Sequence, residues 1–266
     1  MSLLEMMKPT EYHQITRTRD NTRLAVQVRG NGPALLLLAG QANSHHWWDR
    51  ARGDFTDTHT TVTFDYRGVG DSQDGHTDYS TSLFADDALS VMDSLAIERF
   101  DVYGTSMGGR TAQWVATRAP KRVRHLVLGC TTPGGTHAVE RSADLRRRLA
   151  GPEAGIVLLN LFYTPQWRRA NPGPYATLGD PTISRWARQQ HLKASNTHDA
   201  WDALPDITAP TLILHGSDDE FAPVVNAQLL ADRIPGSTVH IFEGARHGYF
   251  DECRPEASEI VEKFLR

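Results

Sequence analysis

The chain has 266 residues, 39% of them apolar and 23% charged, with a formal net charge of -4. That length supports one large domain with a sizeable core, here expected to carry an insertion, and the composition excludes a disordered chain. The slight acidity argues against a nucleic-acid partner. The longest apolar run, Ala34 to Ala39, is too short to span a bilayer, which argues against a membrane partner.

Met1 to Thr10 has short apolar patches but no basic start, no continuous apolar stretch and no small-residue cleavage site, so no export signal is expected and a cytoplasmic location is. Tyr12 to Arg17 and Leu24 to Arg29 alternate in character around Asp20-Asn21, a turn signal, which predicts an opening β-hairpin. Continuous apolar runs follow at Ala34 to Leu38, Thr60 to Phe64, Phe100 to Tyr103, Val123 to Leu128, Thr211 to Leu214 and Val239 to Phe242, the pattern of strands covered on both faces. Helical patterns lie between and after them at Leu83 to Leu95, Ser106 to Arg118, Val224 to Arg233 and Pro255 to Leu265, and such alternation implies right-handed crossovers and a mostly parallel sheet. Thr131 to Pro205 breaks the rhythm with the cluster Arg146-Arg147-Arg148, Pro/Gly-rich stretches and the bulky Phe162, Tyr163, Trp167, Tyr175, Trp186 and Trp201. Residues 131–205 therefore read as a helical cap inserted into a core of residues 1–130 and 206–266, the alternative being helices that merely extend the core. The two cysteines, Cys130 and Cys253, lack a zinc or redox spacing, and Cys130 at the end of an apolar run reads as a packing thiol.

The chemistry concentrates at strand ends. Gly104-Thr105-Ser106-Met107-Gly108 lies between a predicted strand and a predicted helix, with Gly109 next, so a serine stands at a sharp, strained bend where helix amides face its hydroxyl. An ordinary helix-capping serine is the alternative. A serine needs a base to take its proton, and of the 12 histidines His247, in Gly244 to Gly248 past the last strand, is in place, whereas His240 is inside that strand. The base in turn needs a carboxylate, and Asp218 and Asp219 both follow the next-to-last strand. Amides of Met107 and of Gln41, after flexible Gly40, are the expected oxyanion donors. His45 and Trp47 begin a helix at the pocket rim, where packing and substrate contact are both open, and Phe162, Trp167 and Trp186 are candidate pocket residues from the cap.

These residues, with Asp65-Tyr66-Arg67-Gly68-Val69-Gly70-Asp71-Ser72, make the chain resemble the α/β-hydrolase superfamily over nearly its whole length. Gly104 to Gly109 and the boundary Gly129 to Gly135 are similar to the 3-oxoadipate enol-lactonases and cofactor-free bromoperoxidases. Ala39-Gly40 stands where many members have His-Gly. The resemblance implies an α/β fold with an eight-stranded, mostly parallel sheet flanked by helices and a helical cap. It favours Asp219 over Asp218, because Glu220 to Pro223 begins a helix at the family's offset. It also implies a catalytic triad of Ser106, Asp219 and His247 that cleaves an ester or lactone without metal or organic cofactor. The cap aromatics imply a small to medium, largely apolar small-molecule substrate. Perhydrolysis, carbon-carbon bond hydrolysis and a non-catalytic small-ligand receptor are the competing expectations.

Overall fold

A computed structural model describes residues 11–75 and 77–266. The expectation for Met1 to Thr10 lies outside the described residues. The opening hairpin is present: β1 (Glu11–Arg17) pairs antiparallel with β2 (Arg23–Gly30), and the turn places Asn21 at φ 67°, a conformation asparagine tolerates better than most residues. β3 (Ala34–Leu38) is buried at every residue, as its all-apolar sequence demands. After the short α1 (Arg52–Phe55), β4 (Thr60–Phe64) pairs antiparallel with β2 and parallel with β3. Helix α2 (Thr81–Ser94) starts two residues before the predicted Leu83, because the Ser80 side chain accepts from the Leu83 amide and caps it.

β5 (Phe100–Thr105) runs into α3 (Met107–Arg118), and β6 (Val123–Gly129) pairs parallel with β5. Between β6 and the next strand lie α4 (Ala143–Leu149), α5 (Ala154–Phe162), α6 (Pro165–Ala170) and α7 (Arg185–Asn196), the helices expected there. The two ends of this helical segment meet, with Gly134 bridged to Asp199 and the Ala200 amide donating to Pro133. The chain then returns to the sheet with β7 (Thr211–Gly216), α8 (Val225–Arg233), β8 (Thr238–Phe242), α9 (Tyr249–Glu252) and α10 (Glu256–Leu265).

The eight strands form one sheet in the order β1-β2-β4-β3-β5-β6-β7-β8, parallel from β4 onward. One expectation fails at its margin. Val239 to Phe242 reads as a strand covered on both faces, but β8 is the edge strand and exposes Thr238 and Val239; a short apolar run does not tell an edge from a centre. In this topology β5, β7 and β8 end on the same side of the sheet, so the residues following them converge.

Candidate active site

Ser106 falls between β5 and α3 at φ 57° and ψ -123°, a backbone conformation that an L residue holds only when its surroundings impose it. The surroundings are visible. Its amide donates to Gly129 O on β6 at 2.9 Å, and its carbonyl accepts from the Gly109 and Arg110 amides and from Thr131 Oγ1. A Cβ on Gly104 would lie 2.2 Å from Gly108 O, and one on Gly108 would lie 2.1 Å from Leu38 O. The strand, the helix and β3 therefore approach this closely only because both positions are glycine.

His247 lies in the loop after β8 and is fully buried. Its amide donates to Leu161 O and the Gly248 amide to Phe162 O, so the end of α5 holds this loop. The rings of Phe162 and Phe221 stand edge-on to the imidazole at 4.9 and 4.7 Å. Nε2 is 3.0 Å from Ser106 Oγ and Nδ1 is 2.7 Å from Asp219 Oδ2. With Nδ1–H donating to the carboxylate, Nε2 carries a lone pair that can accept a hydrogen bond from the Ser106 hydroxyl.

Asp219 follows β7, and its Oδ1 accepts from the Phe221 and Ala222 amides at 2.9 and 2.8 Å. Burial alone would raise its carboxyl. The facing His247 and the hydrogen bond from His215 outweigh it, and the group is held well below the usual carboxylate range. Asp218 is exposed and accepts from Ser217 Oγ, so of the two adjacent acids it is Asp219 that reaches His247. Sequence reasoning passed over His215. It lies on β7, donates from Nε2 to Ala222 O at 2.7 Å and sits 3.3 Å from Asp219; its signal was a histidine at a strand end four residues before the acid.

The Gln41 and Met107 amides donate to no other described residue. The loop carrying Gln41 is clamped from the helical segment: the Asp180 amide donates to Ala42 O, the Gly179 amide to Asn43 Oδ1, and the Ala42 amide to His191 Nδ1 at 3.3 Å. Ala42 itself is at φ 58°, so this loop is held in a conformation that is unfavourable for alanine.

Of the five predicted pocket residues, Trp47 and Phe162 meet edge-on, their rings 5.8 Å apart. Phe162 adjoins His247. Trp47 is buried, donates from Nε1 to Thr105 Oγ1 and stacks on Phe250, a packing role. His45 is engaged by Asp65, which accepts from both its amide and Nδ1. Trp167 stacks on Tyr163 beneath Arg50. Trp186 is 40% exposed with its edge on Tyr79. Aromatic content alone did not reveal that these rings serve different neighbours.

The space beside Ser106 is instead lined by Gln41, Arg110, Thr131, Arg141, Ser195 and Phe221. Arg110, buried on α3, donates through Nη1 to Ser195 O and Oγ at 2.5 and 3.0 Å. The Arg141 guanidinium lies 3.9 Å over the Phe221 ring. Neither arginine forms an ion pair with a described residue. The cap aromatics imply a largely apolar substrate, and two cations stand in this wall. Among the described residues, no three or more His, Cys, Asp or Glu side chains are grouped to hold a metal ion. No helix among them is long and apolar enough to cross a membrane.

The family model described as alpha/beta hydrolase fold matches residues 33–252. The 2-hydroxymuconate semialdehyde hydrolase of Pseudomonas putida is 30% identical over 266 residues, covering 91% of this chain and 90% of the relative. The 3-oxoadipate enol-lactonase 2 of Acinetobacter baylyi is 24% identical over 243 residues, covering 89% and 91%. In three dimensions a bromoperoxidase from Bacillus anthracis is similar with a TM-score of 0.79 at 20% identity, covering 96% of this chain and 99% of that one. A serine at a strand-to-helix bend, an acid and a histidine after later strands, and a family match across the sheet and the helical segment lead to one assignment: the chain belongs to the α/β-hydrolase fold family.

Proposed function

We propose that the protein hydrolyses a carboxylic ester or lactone of a small molecule through an acyl-enzyme on Ser106. The observation that carries the reading is the unbroken hydrogen-bond chain from Ser106 Oγ through His247 to Asp219. As Ser106 Oγ bonds to the substrate carbonyl carbon, its proton passes to His247 Nε2 and the carbonyl oxygen takes up the electron pair. The Met107 and Gln41 amides, free of other acceptors, donate to that oxygen. His247 then gives the proton to the departing alkoxide, and a water, deprotonated by the same nitrogen, releases the acid and restores Ser106. Asp219 fixes the imidazole tautomer and stabilises its charged form. The scheme requires no metal or organic cofactor. In this reading residues 131–205 act as a cap over a core of residues 1–130 and 206–266, and Phe162 and Phe221 keep bulk water from the imidazole.

The test joins two measurements. A fluorophosphonate probe should label the wild type at Ser106, and a panel of ethyl and methyl esters and simple lactones should be turned over. Ser106→Ala should lose both, with a fall in kcat of about a thousandfold or more. Retained turnover in that variant removes the nucleophile assignment. Carbon-carbon bond hydrolysis is the second reading, favoured by the name of the Pseudomonas putida relative; it predicts that vinylogous 1,5-diketo acids outrun every ester in the same assay.

A further inference from the structure

The arginines beside Ser106 have no role in the acyl-transfer scheme. Buried guanidinium groups are normally balanced by acids or satisfied by several acceptors. Arg67 follows that pattern, binding Asp87 through Nε and Nη2 at 2.6 Å each and Asp20 through Nη1 and Nη2. Arg52 does so with neutral acceptors, through Nε to Thr61 Oγ1 and Nη2 to Gln27 O and Thr61 O. Arg110 is as buried, at 7% exposure, yet only its Nη1 is bonded, to Ser195; Nε and Nη2 donate to no described residue. Arg141 makes no side-chain hydrogen bond to a described residue and rests its guanidinium face on Phe221, which leaves its edge donors unused. Nearby acids are committed elsewhere, Glu140 to Arg146 and Asp219 to His247. Arg110 lies one helical turn past Ser106, and it and Arg141 line the same small space beside Ser106.

We propose that Arg110 and Arg141 form a carboxylate-binding subsite, so that the favoured substrate is an ester or lactone whose acyl part carries a carboxylate a few bonds from the scissile carbonyl. A carboxylate supplies the acceptor oxygens that the two guanidinium groups lack, in the planar geometry they favour. Burial pushes Arg110 down to about 10 and lowers Arg141 as well, the direction expected of cations awaiting a counter-charge. The subsite deepens the ester-hydrolase reading and rests on it. It replaces the apolar substrate that the cap aromatics imply with an amphipathic one, its anionic end at the arginines.

The experiment compares monoethyl glutarate with ethyl valerate, which differ by a carboxylate in place of a methyl group, and follows product by mass detection. The wild type should prefer the glutarate half-ester by about tenfold or more in kcat/KM, the scale of one charge-assisted hydrogen bond. Arg141→Gln and Arg110→Gln should each erase about tenfold of that ratio. The ratio is internal to each variant, so a partly misfolded preparation does not distort it, and Arg147→Gln, an exposed arginine paired with Asp144, should keep the wild-type ratio. Calorimetric titration with glutarate adds a readout independent of turnover: binding to the wild type, weakened about tenfold or more in Arg141→Gln. Ester turnover with no preference for the anion, or no glutarate binding, overturns the subsite and leaves the hydrolase reading standing. Glutarate binding lost in the arginine variants, with no ester turnover and no probe labelling, upholds the subsite and overturns the hydrolase reading.

Discussion

Asp219 and Asp218 are adjacent, chemically identical and differently employed, which makes them a sharp residue-scale test. Asp219 is buried, takes two backbone amides on Oδ1 and His247 on Oδ2, while Asp218 faces solvent. Asn at position 219 can present an N–H to the imidazole and stabilise the wrong tautomer, so Asp219→Asn should lower kcat about a thousand- to ten-thousandfold with KM little changed. Asp218→Asn should leave both constants close to wild type. Steady-state kinetics on one ester decides it, and comparable losses in the two variants would refute the assignment. The acid pair was legible in sequence because both follow a buried strand; which member turns inward depends on the hydrogen bonds of the next three residues. Arg110 and Arg141 were illegible for the converse reason. Arg110 reads as one position of a helix and Arg141 as part of a charged run with Glu140 and Arg146, and the lack of a counter-ion is a property of space.

At the scale of elements, α7 ties two of the sheet's loops together. His191, buried on α7, accepts the Ala42 amide on Nδ1 and donates from Nε2 to Arg67 O at 2.9 Å, joining the loop after β3 to the loop after β4. Ala42 adjoins Gln41 and is in a left-handed conformation, so losing this acceptor should let the Gln41 amide turn from the proposed oxyanion position. An oxyanion donor acts on the transition state more than on bound substrate. His191→Leu should therefore reduce kcat about tenfold with KM unchanged, and His191→Gln, which restores an acceptor, should recover part of the loss. A rise in KM with kcat intact would assign His191 to substrate binding or packing instead. The strand-and-helix grammar that exposed the sheet, the bend at Ser106 and the loops of Asp219 and His247 gave no sign of this contact. It spans 149 residues of sequence, and a histidine inside a helical pattern carries no mark of its partner.

Across the whole molecule, the helical segment meets the core through buried neutral imidazoles, and this couples stability to pH. Burial pushes His191 down to about 4, and His198, which bonds Thr81 Oγ1 and Gln113 Oε1, is held well below its ordinary value by burial and by the charge of Arg110. An unfolded histidine takes up a proton near pH 6.5, whereas native His191 refuses it until about 4. Between those values the unfolded chain binds more protons, so the stability supplied by His191 is intact above about 6.5 and is lost as pH falls toward 4. At pH 5 the loss amounts to about 2 kcal/mol. Asp87 and Asp251, pushed up to about 6 by burial, act oppositely: native protonation precedes unfolded protonation and adds stability as pH falls through the same window. The wild-type slope is thus a difference between imidazoles and carboxyl groups, and a substitution is needed to separate them. Urea unfolding of wild type and His191→Gln at pH 7.5 and pH 5 does so, because the carboxyl contributions and that of His198 are common to both proteins. His191→Gln should be the less stable at pH 7.5 and should close about 2 kcal/mol of that gap at pH 5. A gap that stays constant with pH would mean that His191 is protonated as readily in the fold as out of it, and its hydrogen bond to the Ala42 amide would then have to be abandoned.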